Sequence, residues 1–215
     1  LLPLRLSKAE RATEYIPPEW AMKMTPEVIR LRKPHMEHSS ENFWYMELGG
    51  MHDSIADTEE LRDELVSLAA GAWDYVKNSG KFDADNWELD FVGFLPGKRE
   101  SRRYVGDYII TQNDVEAGRQ FPDTVAYGGW QIDNHLPGGF YMSAKGEGHL
   151  QKRRLTEPYG IPLRSLYSKN IDNLMFAGRD ISATHMGLSA TRVMATCALL
   201  GQAAGTGAAV AIAKG

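Results

Sequence analysis

The chain has 215 residues, of which 43% are hydrophobic and 24% are charged. This composition excludes a disordered chain and predicts a globular one with one or two hydrophobic cores. The net charge of -4 comes without a basic run, so no nucleic-acid partner is expected. Cys197 is the single cysteine. No internal disulfide can form, which fits a reducing compartment such as the cytoplasm and leaves the localisation open.

The first part of the chain predicts connecting structure, then a strand and a long helix. Prolines interrupt the first forty residues and leave room for one short helix. Residues Asn42 to Gly50 are rich in aromatic side chains and end in a glycine pair, which predicts a strand. Asp57 and Glu60 have the spacing of a capping box and open a helix with one apolar stripe, which Gly80 ends.

The middle of the chain predicts four further strands. They are Trp87 to Leu95, Arg103 to Thr111, Thr124 to Ile132 and Gly139 to Ser143. The turn Pro96-Gly97-Lys98 is expected to join the first two strands as a hairpin. Asn113 is the expected cap of a short helix between the second and the third.

The closing segment predicts a strand, a polar loop and a helix. The apolar run Leu174 to Ala177 suits a buried strand, Gly178 permits a sharp exit, and Ser189 is the expected cap of the helix that follows. Met194 to Ala213 carries no charge and has about the length of a bilayer span. Small residues dominate it and Gln202 lies in its middle, so a buried helix is predicted and no membrane partner is expected.

Two features of this segment favour a nucleotide-like cofactor. The amino end of a helix presents unpaired N–H groups and a partial positive charge, which favour an anion. Asp180 follows the predicted strand, where a carboxylate is placed to accept hydrogen bonds from the hydroxyls of a sugar-like chain. The simpler alternative for Asp180 is an ion pair with Arg179.

Four separate stretches carry a family resemblance. They are NFWYMELGGMHDSIADTEELRDELVSLAAGAWDYVKN, ESRRYVGDYIITQNDV, YGIPLRSLYSKNIDNL and NLMFAGRDISATHMGLSATRVMATCALLGQAAGTGAA. Together they run from about Asn42 to Ala209 and resemble the FAD-dependent oxidoreductase family related to glutathione-reductase-type flavoproteins. The resemblance implies a mixed α/β (α+β) fold with two parts. Residues 1–165 would form a β-rich substrate domain with connecting segments, and residues 166–215 the last strand and helix of a Rossmann-like FAD-binding domain.

The resemblance also implies which residues contact FAD. Gly178, Arg179 and Asp180 would lie beside the ribityl chain and the pyrophosphate, and His185 near the isoalloxazine. The helix amino end at the isoalloxazine would be formed by Gly187, Leu188, Ser189, Ala190 and Thr191. The family's G-x-G-x-x-G fingerprint is not found in this sequence. The expectation is therefore a carboxyl-terminal portion whose FAD site is completed by a missing amino-terminal half or by another copy of the chain.

Oxidation of a small organic substrate by hydride transfer to a flavin needs a proton acceptor and groups that orient the substrate. Arg102 and Arg103 are candidates to clamp a substrate carboxylate, because a guanidinium binds it in two-point fashion. An equal alternative is that these arginines form a solvated basic patch that balances the charges of Glu100 and Asp107. His135, in a glycine-rich loop, is the candidate base.

The sequence also permits a function from another class. A chain without its ADP-binding half could be catalytically silent, bind no FAD by itself, and dock on a partner through an apolar patch beside the last helix. His35, Glu37 and His38 have the spacing of metal ligands but lack a further ligand cluster. No metal is therefore predicted.

Overall fold

The fold is described from a computed structural model. The structure describes residues 2–32, 34, 36, 43, 46–135, 137–142 and 154–214. The chain forms two compact units, Leu1–Lys98 with Leu136–His149 and Arg99–His135 with Leu150–Gly215. Each unit contains its own hydrophobic core. Helices and small sheets are mixed in the chain, as the sequence predicts. The domain boundary between residues 165 and 166 stays a prediction.

The first unit is built on one long helix and one strand pair. Its elements are β1 (Leu4–Lys8), α1 (Pro26–Leu31), α2 (Thr58–Asn78) and β2 (Trp87–Val92). The apolar stripe of α2 lies in the core around Leu68 and Trp73. The helix begins after Asp57, as predicted, but the capping box is wrong. The Asp57 carboxylate instead accepts a hydrogen bond from the Asp53 amide at 3.0 Å.

The predicted hairpin of Trp87 to Leu95 with Arg103 to Thr111 is wrong. β2 pairs antiparallel with β1, with Leu6 opposite Leu89. Both of these leucines pack against the core that holds α2. This pairing therefore covers the core with apolar side chains from both strands, which favours it over a local turn.

The structure shows no strand at the described residues of the other two strand predictions for this unit. Gly139–Tyr141 is a 3-10 turn and not a strand, and residue 143 lies outside the described part. Gly139 has a φ of 55°, and a Cβ there would lie 2.0 Å from the Glu47 carbonyl oxygen. This close approach leaves no room for an extended ladder. The strand predicted over Asn42 to Gly50 falls partly outside the described residues, and residues 46–50 form no strand.

The second unit contains β3 (Thr124–Gly128), β4 (Tyr159–Pro162), α3 (Gln112–Glu116), α4 (His185–Thr191) and α5 (Met194–Lys214). β3 pairs antiparallel with β4. The core beneath them is mainly aliphatic. Its fully buried large side chains include Ile110, Ile132, Ile161, Leu166 and Ile181.

Arg103 to Thr111 does not form the predicted continuous strand. The amide of Tyr108 donates to the Arg164 carbonyl at 3.1 Å, whereas the amide of Ile110 donates to the Ser182 carbonyl at 3.0 Å. The segment therefore changes partners along its length, and an isolated parallel bridge at Ile110 remains. A continuous ladder forms when successive residues pair with the same neighbouring strand. Here successive residues pair with two different segments in turn.

The predicted strand Leu174 to Ala177 is also reduced to a single bridge. Met175 pairs with Tyr167 as an isolated antiparallel bridge. Phe176 is buried, and its amide donates to the Leu166 carbonyl at 2.9 Å. Burial is therefore confirmed for Phe176 only, since the other three residues of the run are partly exposed, and the strand is wrong because its neighbour is a short turn.

Two helix caps differ from the sequence prediction. α3 is capped by Thr111 in a reciprocal capping box with Asp114, not by Asn113. Ser189 lies inside α4, which is capped by Thr184. The predicted single helix is therefore two, since α4 ends at Thr191 and α5 begins at Met194.

The prediction that the last helix is buried is wrong for this chain. α5 packs on β3, and within this fully described helix only Thr196 and Leu200 are buried. Met194 is 89% exposed and Ile212 is 84% exposed. By length and composition α5 could cross a membrane, since an 18-residue window of it has a mean hydropathy of 1.4, with 11% of that window buried. The absence of a membrane partner stays a prediction.

Asp114 anchors α3 through a buried carboxylate. It accepts hydrogen bonds from the Tyr108 hydroxyl at 2.8 Å, from the Thr111 amide at 2.9 Å and hydroxyl at 2.8 Å, and from Arg119 Nη1 at 2.9 Å. Burial alone would raise the pKa of Asp114, but these hydrogen bonds outweigh it and lower the pKa below its ordinary value.

This lowered pKa predicts an acid limit to stability. A carboxyl whose folded pKa lies below its unfolded pKa contributes stability above the unfolded pKa and loses it as the pH falls through the folded pKa. Asp114→Asn should flatten the acid limb of the unfolding free energy and lower that free energy at pH 7 by about 1–3 kcal/mol. Urea unfolding between pH 2 and 7 measures both. The exposed Asp172→Asn is the control, and an unchanged acid limb in Asp114→Asn would contradict the assignment.

Candidate functional site

The predicted cofactor and substrate residues lie in the second unit. They come from three segments, residues 99–103, 133–135 and 178–191. The amide of Tyr104 donates to the Asp180 carbonyl at 2.8 Å, which holds the first and third segments together. Arg103 and Asp180 thus come from segments that are joined by the backbone.

Gly178 and Asp180 form a turn with an unused acceptor. Gly178 has a φ of 105°, a left-handed conformation that favours glycine. A Cβ at Gly178 would lie 3.8 Å from Asp180 Oδ1. In the described part of the chain this buried oxygen has no hydrogen-bond partner. A buried carboxylate oxygen without a donor costs free energy, so the turn fits a ligand hydroxyl at this position.

Gly187 to Thr191 is buried throughout. The Gly187 amide donates to Thr184 Oγ1 at 3.2 Å, and the Ser189 hydroxyl donates to the Met186 carbonyl at 2.7 Å. A Cβ at Gly187 would lie 2.5 Å from the Ile110 carbonyl oxygen, so α4 approaches the neighbouring segment closely. A contact of this segment, including Leu188 and Ala190, with an isoalloxazine stays a prediction.

Glu100 links Arg103 to His185. One carboxylate oxygen pairs with Arg103, and the other lies 2.5 Å from His185 Nδ1. Since a carboxylate only accepts, Nδ1 carries the proton and Nε2 is the basic nitrogen. Burial, and then the nearby Arg103 guanidinium, lower the pKa of His185 below its ordinary value. Burial and Arg103 therefore favour the neutral ring, and the Glu100 carboxylate fixes its tautomer.

His135 lies in a different arrangement. Its Nε2 is 3.1 Å from Arg99 Nη1. A guanidinium has donors only, so this ring nitrogen accepts the bond. Asp133 pairs with Arg192, whose Nη2 donates to the Asp133 carbonyl at 3.0 Å and to its Oδ2 at 3.3 Å. The sequence neighbours Asp133 and His135 are thus held by different arginines.

Arg102 and Arg103 have different surroundings. Arg102 is exposed. The Arg103 side chain, 26% exposed, lines a cavity of about 220 Å³. The other lining residues are Tyr104, Val105, Ile109, Ser182 and Ala183. Of the two arginines, Arg103 is the one that faces a volume large enough for a small molecule.

The link between Glu100 and His185 was not predicted from the sequence. The two residues are 85 positions apart. Each lies in a stretch that carries the family resemblance, and that was the only signal for the pair. The metal-like cluster of His35, Glu37 and His38 lies outside the described residues. Among the residues that are described, no group of three or more His, Cys, Asp or Glu could hold a metal ion.

The glycine turn and its carboxylate oxygen, which accepts no hydrogen bond among the described residues, fit a class of site that binds a ligand with hydroxyl groups. The model of the FAD dependent oxidoreductase family matches residues 6–215, so the chain belongs to that family. No curated protein and no solved structure matches the chain significantly. Family membership makes the protein a flavoprotein of the oxidoreductase class.

Proposed function

We propose that this chain forms one wall of the FAD site in an oxidoreductase of the glutathione-reductase-type superfamily. The observation that carries the proposal is the buried Asp180 Oδ1 beside Gly178, which has no hydrogen-bond partner among the described residues and lies within the family match. Asp180 would accept hydrogen bonds from ribityl hydroxyls, and Gly178 and Arg179 would lie along the ribityl and pyrophosphate groups. Bound FAD supplies a hydride acceptor.

The reaction would be the dehydrogenation of a small organic substrate. The substrate gives up a hydride from carbon and a proton from the attached hydroxyl or amine. We infer that His185 takes this proton on Nε2, because Glu100 holds the proton of its Nδ1. His135 is the alternative base, but Arg99 already donates to its Nε2. Arg103, with Arg102 beside it in the sequence, would orient an anionic substrate.

We propose that a further protein segment completes the FAD site and covers α5. A Cβ at Gly201 or Gly205 would meet nothing within 4 Å, so the exposed face of α5 can accept a closely packed neighbour. That segment is a missing amino-terminal half or another copy of the chain. Co-sedimentation of the chain with neutral lipid vesicles would instead assign this face to a membrane and remove the proposal.

A fluorescence titration tests the FAD site. The fluorescence of added FAD should be quenched saturably. The binding should be weak, because the sequence lacks the ADP-binding fingerprint. Asp180→Ala removes a charged acceptor and should weaken binding about 10- to 100-fold. The exposed Asp172→Ala is the matched control and should bind as the wild type does. Equal affinity in Asp180→Ala contradicts the proposed contact, and no quenching at all favours a catalytically silent, partner-binding chain.

A further inference from the structure

We propose that the cavity beside Arg103 binds the carboxylate of a small aliphatic acid that also carries a hydroxyl or amine, which makes that class of compound the substrate. The inference rests on the proposed function and names the substrate of the same site. The cavity has a volume of about 220 Å³, enough for a molecule with a few carbon atoms. Its lining combines the Arg103 cation and the Ser182 hydroxyl with the ring of Tyr104 and the aliphatic side chains of Val105, Ile109 and Ala183. A ligand with one anionic group and a short apolar body matches this lining.

Ser182 gives the second polar contact. The residue is 1% exposed, and its hydroxyl oxygen is buried without a hydrogen-bond partner in the described part of the molecule. It lines the cavity together with Arg103. A buried hydroxyl is normally satisfied within the protein, so an unsatisfied one on a cavity wall points to a ligand that accepts its hydrogen.

Within the described residues the Ser182 hydroxyl makes no hydrogen bond, and the backbone alone holds the residue in place. Its backbone amide donates to the Ser165 carbonyl at 3.1 Å, and its carbonyl accepts from the Ile110 amide at 3.0 Å. These two bonds fix the residue from both sides without the side chain. Alanine would therefore hold the same position.

Arg103 already binds one carboxylate, that of Glu100. The planar guanidinium carries five N–H donors, so it can bind a second carboxylate on another edge. Glu100 also contacts His185, three residues after Ser182. A carboxylate held by Arg103 and Ser182 is therefore bound by the same cluster that positions the proposed proton acceptor.

The test uses butyrate as the probe and saturation-transfer NMR on the full chain without flavin. Butyrate should bind, and butyramide, which has the same shape without the charge, should bind at least about tenfold more weakly. Arg103→Gln should weaken butyrate binding about 10- to 100-fold. Ser182→Ala should weaken it by up to about tenfold. Arg5→Gln, an exposed arginine in the first unit, is the control and should bind butyrate as the wild type does.

Stability separates this inference from a merely structural role. Because the Ser182 hydroxyl is unsatisfied, Ser182→Ala should keep or raise the urea midpoint while it loses butyrate affinity. A lowered midpoint with unchanged affinity would overturn the inference, and so would equal binding of butyrate and butyramide. Since no flavin is added, failure here leaves the FAD proposal standing. A failed FAD titration likewise leaves the butyrate result unaffected.

Discussion

His185→Gln should lower the turnover of the FAD-loaded protein by about 10²- to 10⁴-fold, the usual contribution of a positioned general base. Glutamine keeps the size and polarity of the side chain but cannot take up a proton. The Glu100 contact at Nδ1 leaves Nε2 as the basic atom in the native protein. The measurement is the rate of flavin bleaching by substrate under anaerobic conditions, which isolates the oxidation of the substrate.

The pH profile gives His185 a second readout. A base must be neutral to act, so activity should fall as the pH drops through the pKa of His185. That fall should lie below the ordinary histidine range, because burial and Arg103 lower this pKa. The activity of His185→Gln should not show this fall at low pH. His52→Gln, in the first unit, should behave as wild type. An equal or larger loss in His135→Gln, together with loss of the limb, would move the role to His135.

Lys77→Met should lower the unfolding free energy of the first unit by about 3–5 kcal/mol, a loss typical of a broken buried polar network. Lys77 is 9% exposed. Its Nζ donates to Thr13 Oγ1 at 3.0 Å and to the carbonyls of Ala84 at 2.8 Å, Asp85 at 2.6 Å and Trp87 at 2.9 Å. Methionine fills the same space but removes the four hydrogen bonds of the ammonium group, although each of the three carbonyls keeps one other donor.

Urea unfolding of the full chain measures this effect through the near-ultraviolet signal of Trp73, which is buried in the same core. The exposed Lys23→Met is the matched control and should stay within about 0.5 kcal/mol of wild type. A change of that small size in Lys77→Met would show that water replaces the ammonium group. Lys77 would then have no structural role.

Local patterns predicted the helices better than the strands. α2 carries an apolar stripe that fixes its buried face, and this signal is contained in neighbouring residues. β1 was missed because it is short, and its pairing with β2 joins residues 79 to 88 positions apart. No turn marks such a pairing in the sequence. The β-hairpin was predicted from a local turn, but burial of Leu6 and Leu89 on one core decided the outcome.

The candidate site shows the same limit. Asp180 was singled out from its place after an apolar run, and the structure leaves its Oδ1 without a donor among the described residues. The cluster of Glu100, Arg103 and His185 needed the fold, because the hydrogen bond between Glu100 and His185 joins residues 85 positions apart and has no local pattern. The burial of the last helix was overestimated. Composition alone does not say whether an apolar helix meets its neighbour within the same chain.

The position of the flavin on this chain is the central claim, and an amide NMR titration with FAD tests it most directly. The predicted result is a set of saturable shifts that begins at Gly178 and Asp180 and includes His185, with the first unit unaffected. Shifts confined to residues of the first unit, or an unchanged spectrum at FAD concentrations that quench fluorescence, would contradict the account.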